Sequence, residues 1–212
     1  MMGLRAKNRK LKRAALISAA TKLFEEKGYD ETQMEEIAAE AETATATAYN
    51  YFESKNKLLT SIALQHLRKA LPARRRLLAA LPEDPVEGII AFERLLAQQT
   101  LQTLGKKAWQ AVFRAGYDSD SSGLRRVGKT LAWIISLHYR KMFETYRRRG
   151  RLSPDTDIAL AAELTVIAGS AYFSRFLMKD EMTVDELLEF IPPYAGVILG
   201  PWTLPPGEDM AD

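Results

Sequence analysis

Cysteine is absent from this 212-residue chain, and histidine occurs only as His66 and His138, far apart in sequence. The first absence excludes disulfides, thiol redox sensing and thiolate metal sites; the second leaves no histidine pair to hold a metal. No apolar run approaches the roughly 20 residues that cross a bilayer. The basic amino-terminal stretch lacks the apolar segment of a secretion signal. A cytoplasmic location is the expectation. Also missing are a Gly-rich phosphate loop and any Ser/His/Asp or Cys/His pairing, while the acids fall mostly on amphipathic outer faces. No catalytic residue, metal ligand or cofactor site is therefore assigned, and the chain does not read as an enzyme.

Period-two alternation is missing as well, so what is present is helix, and the fold class expected is all-α. With 47% hydrophobic residues the chain can bury one substantial core or two modest ones. A first helix is expected from about Asn8 to Lys27, stopped by Gly28. Thr32 and Glu35 fit a capping box opening a second, whose buried face is Met34, Ile37, Ala38 and Ala41. A short third helix runs from about Ala44 to Phe52. A fourth, capped by Ser54, reaches about Leu71, where Pro72 or Leu81-Pro82 interrupts it. Asp84-Pro85-Val86-Glu87 starts a helix ending near Gly105, and a shorter one covers Lys106 to Ala115. Tyr117 to Gly123 is a loop by composition. A long helix then runs to Arg149, closed by Gly150, and Ser153-Pro154-Asp155 caps another to about Lys179. Thr183 and Glu186 form a further capping box, Pro192-Pro193 kinks or splits the last helical segment, and the tail from Pro201 frays.

Charge is unevenly placed. Residues 1–13 hold Arg5, Lys7, Arg9, Lys10, Lys12 and Arg13 and no acid, whereas Glu25, Glu26, Asp30, Glu31, Glu35, Glu36, Glu40 and Glu42 face one Lys27. A basic arm beside an acidic helical pair suits a polyanion met at one edge; a disordered solubilising tail is the plainer alternative. The third helix carries Thr45, Thr47 and Asn50, poor helix formers whose polarity points to a groove-facing surface. Threonine can touch a thymine methyl or a phosphate, and asparagine can bond adenine in the major groove. Tyr49 reads as core, on the face of Ala46 and Phe52. The competing reading is a structural helical hairpin.

These features resemble the tetracycline-repressor (TetR/AcrR) family of bacterial transcription regulators. The matching residues are the run Leu16 to Phe24, Gly28-Tyr29-Asp30, Thr32, Ile37-Ala38, Thr47-Ala48-Tyr49-Asn50-Tyr51-Phe52, Ser54-Lys55 and Leu58-Leu59. The resemblance covers about residues 8–60; beyond that it extends only to a general layout of helices. It departs at Glu42, where a glycine is usual in the turn, at Ala44, where Ser or Thr usually caps, at Ala48, where a larger apolar residue is usual, and at Glu35. It implies an amino-terminal helix-turn-helix domain (1–53, with its basic arm), a helical regulatory and dimerisation domain (54–200) and a disordered tail (201–212). It further implies a homodimer on palindromic double-stranded DNA, a repressor released by a small-molecule effector, which the aromatic residues described next make apolar or aromatic. The DNA contacts expected are Gln33, Thr45, Thr47, Asn50, Tyr51 and Lys55.

A second set of residues is the candidate effector pocket: Phe92, Trp109, Phe113, Trp133, His138, Met142 and Tyr172, with Tyr117 and Phe176 nearby in the pattern. A plain bundle core is the alternative; polar tips on the aromatics, and His138 in an apolar stretch, favour a cavity. Arg74-Arg75-Arg76 and Arg147-Arg148-Arg149-Arg151 read as solvated helix ends. The small residues around Ala168-Gly169 suit a tight intrachain pair or, preferably, a dimer seam with the segment at Pro192. A different class stays open: a helical interaction protein with a degenerate helix-turn-helix and no ligand switch.

Overall fold

A computed structural model describes residues 3–117 and 122–204. Among these, ten α-helices occur: α1 (Leu4–Glu26), α2 (Met34–Glu40), α3 (Thr45–Tyr51), α4 (Lys55–Ala79), α5 (Pro85–Thr103), α6 (Gly105–Tyr117), α7 (Ser122–Arg148), α8 (Ile158–Met178), α9 (Val184–Leu188) and α10 (Ile191–Leu199), followed by a 3-10 turn at Gly200–Trp202. The helix order expected from sequence is the order observed. None of these helices is long and apolar enough to cross a membrane.

The described residues of Met1–Arg68 and Thr100–Lys129 pack as one compact unit, and those of Lys69–Gln99 and Thr130–Asp212 as another. Helices α4, α5 and α7 contribute residues to both.

In the first unit α1, α2 and α3 close around Leu16, Ala20, Phe24, Ile37, Ala38, Ala48 and Phe52, all buried. The basic arm is not an arm: α1 begins at Leu4, so Lys7 to Arg13 lie on a helix. The second helix starts later than its sequence suggests. Thr32 is fully buried, and its hydroxyl donates to the Gly28 carbonyl at 2.7 Å, closing the end of α1. The capping box therefore moves one residue on, with the Glu36 carboxylate accepting from the Gln33 backbone N–H at 2.8 Å. Much of the acidic charge on α2 is paired with α1 through Lys22–Glu40 at 2.6 Å and Lys27–Glu36.

The α2–α3 turn carries the strain its sequence announces. Thr43 N–H bonds the Ala38 carbonyl and Glu42 N–H the Ala39 carbonyl, a Schellman closure that places Glu42 at φ +49°. A non-glycine residue there costs about 1–2 kcal/mol, against about 0.5–1 kcal/mol of chain entropy that glycine loses on folding. Glu42→Gly is thus expected to stabilise the chain by up to about 1 kcal/mol in denaturant melts; a lowered midpoint would contradict this geometry.

The second unit has its core at Phe92, Tyr139, Met142, Phe143, Tyr146, Ala161, Ala162, Ile191 and Ala195. Asp84 caps α5 as expected, accepting from Val86 and Glu87 N–H at 2.7 and 3.0 Å. Pro72 does not interrupt α4, which continues to Ala79. The cap of α8 is Asp157, which accepts from Leu160 N–H, and not the Ser153-Pro154-Asp155 stretch. Thr183 and Glu186 form the expected box, and the proline pair splits the last segment by opening α10. Residues 201–204 are held rather than frayed: Ser153 N–H bonds the Trp202 carbonyl and Leu204 N–H the Arg151 carbonyl. The rest of the expected tail, and residues 118–121 of the expected loop, lie outside the described residues.

Candidate nucleic-acid interface and effector site

Helix α3 spends one residue on the core. Ala48 is fully buried, a small residue sufficing where the helix lies close, while Ala46, Tyr49 and Asn50 are exposed and Thr45, Thr47 and Tyr51 half-buried. Tyr49 is therefore not core; it stands 42% exposed, its hydroxyl donating to Glu35 at 3.3 Å. With exposed Gln33 at the start of α2, the polar residues of α3 form one accessible surface. The basic end of α1 borders it. A surface recess is lined by Asn8, Arg9, Leu11, Lys12 and Tyr51, and the Arg13 guanidinium sits 5.0 Å over the Phe52 ring. The expected Arg5 contribution lies outside the described side chains.

Lys55 is placed otherwise than expected. Its ammonium donates to the carbonyls of Tyr29 (2.7 Å), Asp30 (3.2 Å) and Thr32 (2.7 Å), and lies 4.4 Å over the Tyr29 ring. Three N–H groups meet three acceptors, so none is left for a phosphate. Burial holds its pKa below the free lysine value despite attraction from Asp30, Glu31 and Glu36. Lys57 is the exposed cation of this helix start, and its own backbone N–H is taken by the Ser54 hydroxyl at 3.2 Å. Lys55→Met is expected to cost about 1–3 kcal/mol by orphaning carbonyls. Lys57→Ala is expected instead to lower the salt slope of DNA binding by about one per half-site. Anisotropy titrations across salt, beside melts of both variants, check the pair; the reverse assignment would contradict it.

The expected effector residues divide between the units. In the first, Trp109 is buried with its indole N–H donated to the Thr100 carbonyl at 3.1 Å and its ring edge-on to His66 at 4.9 Å. His66 in turn meets the Thr103 hydroxyl at 2.8 Å. The polar tip of Trp109 is thereby satisfied within the chain. Phe113 is half-buried in the same unit. In the second unit Phe92 and Met142 are fully buried, His138 packs 5.5 Å from Phe92, and Tyr172 stacks on Phe190 (4.8 Å) and Tyr194 (5.6 Å). Trp133 does not join them; it is 61% exposed on α7. His138 Nδ1 lies 2.6 Å from the Ile134 carbonyl, so that nitrogen carries the proton and Nε2 is the acceptor. Burial pushes the imidazole pKa down, keeping the ring neutral.

Sequence reasoning missed the buried polar cluster of the second unit. Arg74 is not a solvated helix end: it is 2% exposed, its Nε donating to Gln99 at 2.9 Å. Buried Glu93 accepts from the Tyr139 hydroxyl, and burial raises its carboxyl to about 7. Gly169 faces this carboxylate, since a Cβ there would come 2.6 Å from Glu93 Oε1. Its smallness makes room for that carboxylate within the chain. Arg149 and Arg151, by contrast, lie at a helix end and bond the carbonyls of Leu81, Pro82 and Glu83.

Residues 16–62 match the model of the bacterial regulatory proteins of the tetR family. That match spans α2, α3 and the adjoining parts of α1 and α4, the helix-turn-helix segment of the chain. Among curated relatives, the HTH-type transcriptional regulator UidR of Escherichia coli is 25% identical over 160 residues, covering 72% of this chain and 74% of UidR. The regulator HbdR of an Aromatoleum species is 48% identical over 48 residues, 23% of this chain and 21% of HbdR. Among solved structures, the tetR-family repressor FadR of Thermus thermophilus, in complex with lauroyl-CoA, superposes with a TM-score of 0.65 at 23% identity, over 94% of this chain and all of that one. That likeness extends the family fold, an amino-terminal helix-turn-helix followed by a helical carboxy-terminal part, across the chain.

Proposed function

We propose that the chain is a sequence-specific DNA-binding transcriptional regulator, a repressor released from its operator by a small-molecule effector. The observation that carries it is the surface of α3, where a seven-residue helix buries only Ala48 and turns polar and aromatic groups outward beside a basic helix end. Gln33, Thr45, Thr47, Asn50, Tyr51 and the exposed Tyr49 are the reading surface, with Lys57 and the α1 cations on phosphates. Residues 1–53 form the reading head and 54–200 the regulatory part. The alternative, an interaction protein with a degenerate motif, leaves this exposed polar face without a use.

One helix reads too few bases, so the functional species is a homodimer. Leu160, Leu164 and Ile167 line one exposed stripe of α8, and Val197 of α10 is 79% exposed. Such an apolar strip suits a second copy of the chain. Two heads spaced about 34–36 Å apart would then read an inverted repeat. The lauroyl-CoA bound by the Thermus thermophilus relative supports an effector with an apolar body. Continuous helices α4, α5 and α7 serve both units, and an effector that shifts them changes the heads, with a reciprocal coupling of about 1–3 kcal/mol. Sequencing of DNA fragments selected from a random pool tests this: enrichment of an inverted repeat is expected, and no enrichment would overturn it.

A further inference from the structure

We infer that Arg74 and Tyr194 hold the carboxylate of a small organic acid bound inside the second unit, with an apolar body lying among the surrounding core residues. The inference rests on the effector reading above and names the chemistry of its ligand.

Arg74 is 2% exposed, its Nη1 is buried without a hydrogen-bond partner, and no carboxylate lies within ion-pair distance of it among the described residues. Its side chain donates instead to neutral Gln99. A guanidinium removed from water with a free N–H and no counter-ion is costly unless something supplies both. The Tyr194 hydroxyl is likewise buried and unpartnered. It stands 3.7 Å from where a Cβ on Gly169 would lie, against 2.6 Å for Glu93 Oε1, so Tyr194 and Glu93 meet around the same glycine. Tyr139 bonds Glu93 directly, and Arg74 and Tyr194 each lie close enough to Glu93 to feel its charge. Glu93 does not satisfy the pair: its Oε1 is taken by the Tyr139 hydroxyl, and burial favours its neutral form.

Two unmet donors, one of them charged, call for an anion with two acceptor oxygens. The single positive charge of Arg74 balances one negative charge, which favours a monoanionic carboxylate over a dianionic phosphate. Phe92, Met142, Ile135 and Val166 in the same core make the remaining contacts apolar.

The test uses the full chain with octanoate and its neutral isostere octanamide as probes, followed by thermal melting at pH 6, where the Glu93 carboxyl keeps its proton, and at fixed ionic strength. Octanoate is expected to raise the melting temperature and octanamide to raise it less. Arg74→Met is expected to weaken octanoate binding about tenfold or more. Without ligand it should melt no lower than wild type, because it removes an unpaired charge. Should Arg74→Met fail to fold, Tyr194→Phe, which deletes only an unpartnered hydroxyl, carries the same comparison. Equal shifts from both probes, no shift from octanoate, or an octanoate shift unchanged in the variants would overturn the assignment. Octanoate binding that depends on Arg74 but leaves affinity for duplex DNA unchanged would uphold this site and overturn the effector switch instead.

Discussion

Above pH 7, Glu93→Gln is expected to stabilise the folded chain by about 3 kcal/mol. Burial raises the Glu93 carboxyl from 4.5 to about 7, opposed by the Tyr139 hydroxyl bond and by attraction to Arg74. The folded chain thus keeps this proton to about pH 7, whereas the unfolded chain releases it near 4.5. Between those values the native state binds more protons, so stability falls as pH rises and stays low above the folded value. Glutamine retains an oxygen for Tyr139 and fits the space left by Gly169, but has no charge to bury. At pH 5 the gain should shrink to about 1 kcal/mol or less. In a chain of this size the gain at pH 8 corresponds to roughly 6–12 °C in Tm. A variant no more stable than wild type at pH 8, or equally stabilised at pH 5, would refute the buried-carboxyl account.

Ile167→Glu is expected to separate the proposed dimer and to weaken operator binding by about 10²- to 10⁴-fold, the loss that follows when two linked heads become one. Ile167 is 58% exposed in the single chain and lies in line with Leu160 and Leu164, so a glutamate there costs the isolated fold little while placing charge in the seam. Light scattering should give half the wild-type mass with an unchanged circular dichroism spectrum. A variant that remains dimeric and binds DNA as wild type does would move the interface elsewhere.

The parts of this molecule that were legible in the sequence are those governed by local chemistry. Asp84-Pro85, the Thr183–Glu186 box, Gly150 and the helix order all follow from neighbours within a few residues. Glu42 announced its strained turn because glycine is the residue that accepts positive φ without cost. The misreadings come from groups whose partners arrive through tertiary packing. Lys55 looks like a phosphate ligand until the carbonyls of Tyr29, Asp30 and Thr32 come round to meet it. Arg74 is indistinguishable in sequence from Arg75 and Arg76, yet a helix that continues through Pro72 buries it opposite Gln99. Tyr49, expected in the core, points outward because a helix lying close to its neighbours takes the methyl group of Ala48 inside and turns the larger ring out. Trp109 offered a polar tip that the Thr100 carbonyl already holds.

The measurement that tests the central claim most directly is the salt dependence of binding to duplex DNA, for wild type and for Asn50→Ala. Wild-type affinity is expected to fall about 10³- to 10⁵-fold between 50 and 200 mM salt on its selected site, as several phosphate contacts require. Asn50→Ala should keep the slope while losing preference for that site over random sequence. Absence of binding at low salt, or a preference that survives the loss of Asn50 together with the rest of the α3 surface, would contradict the account.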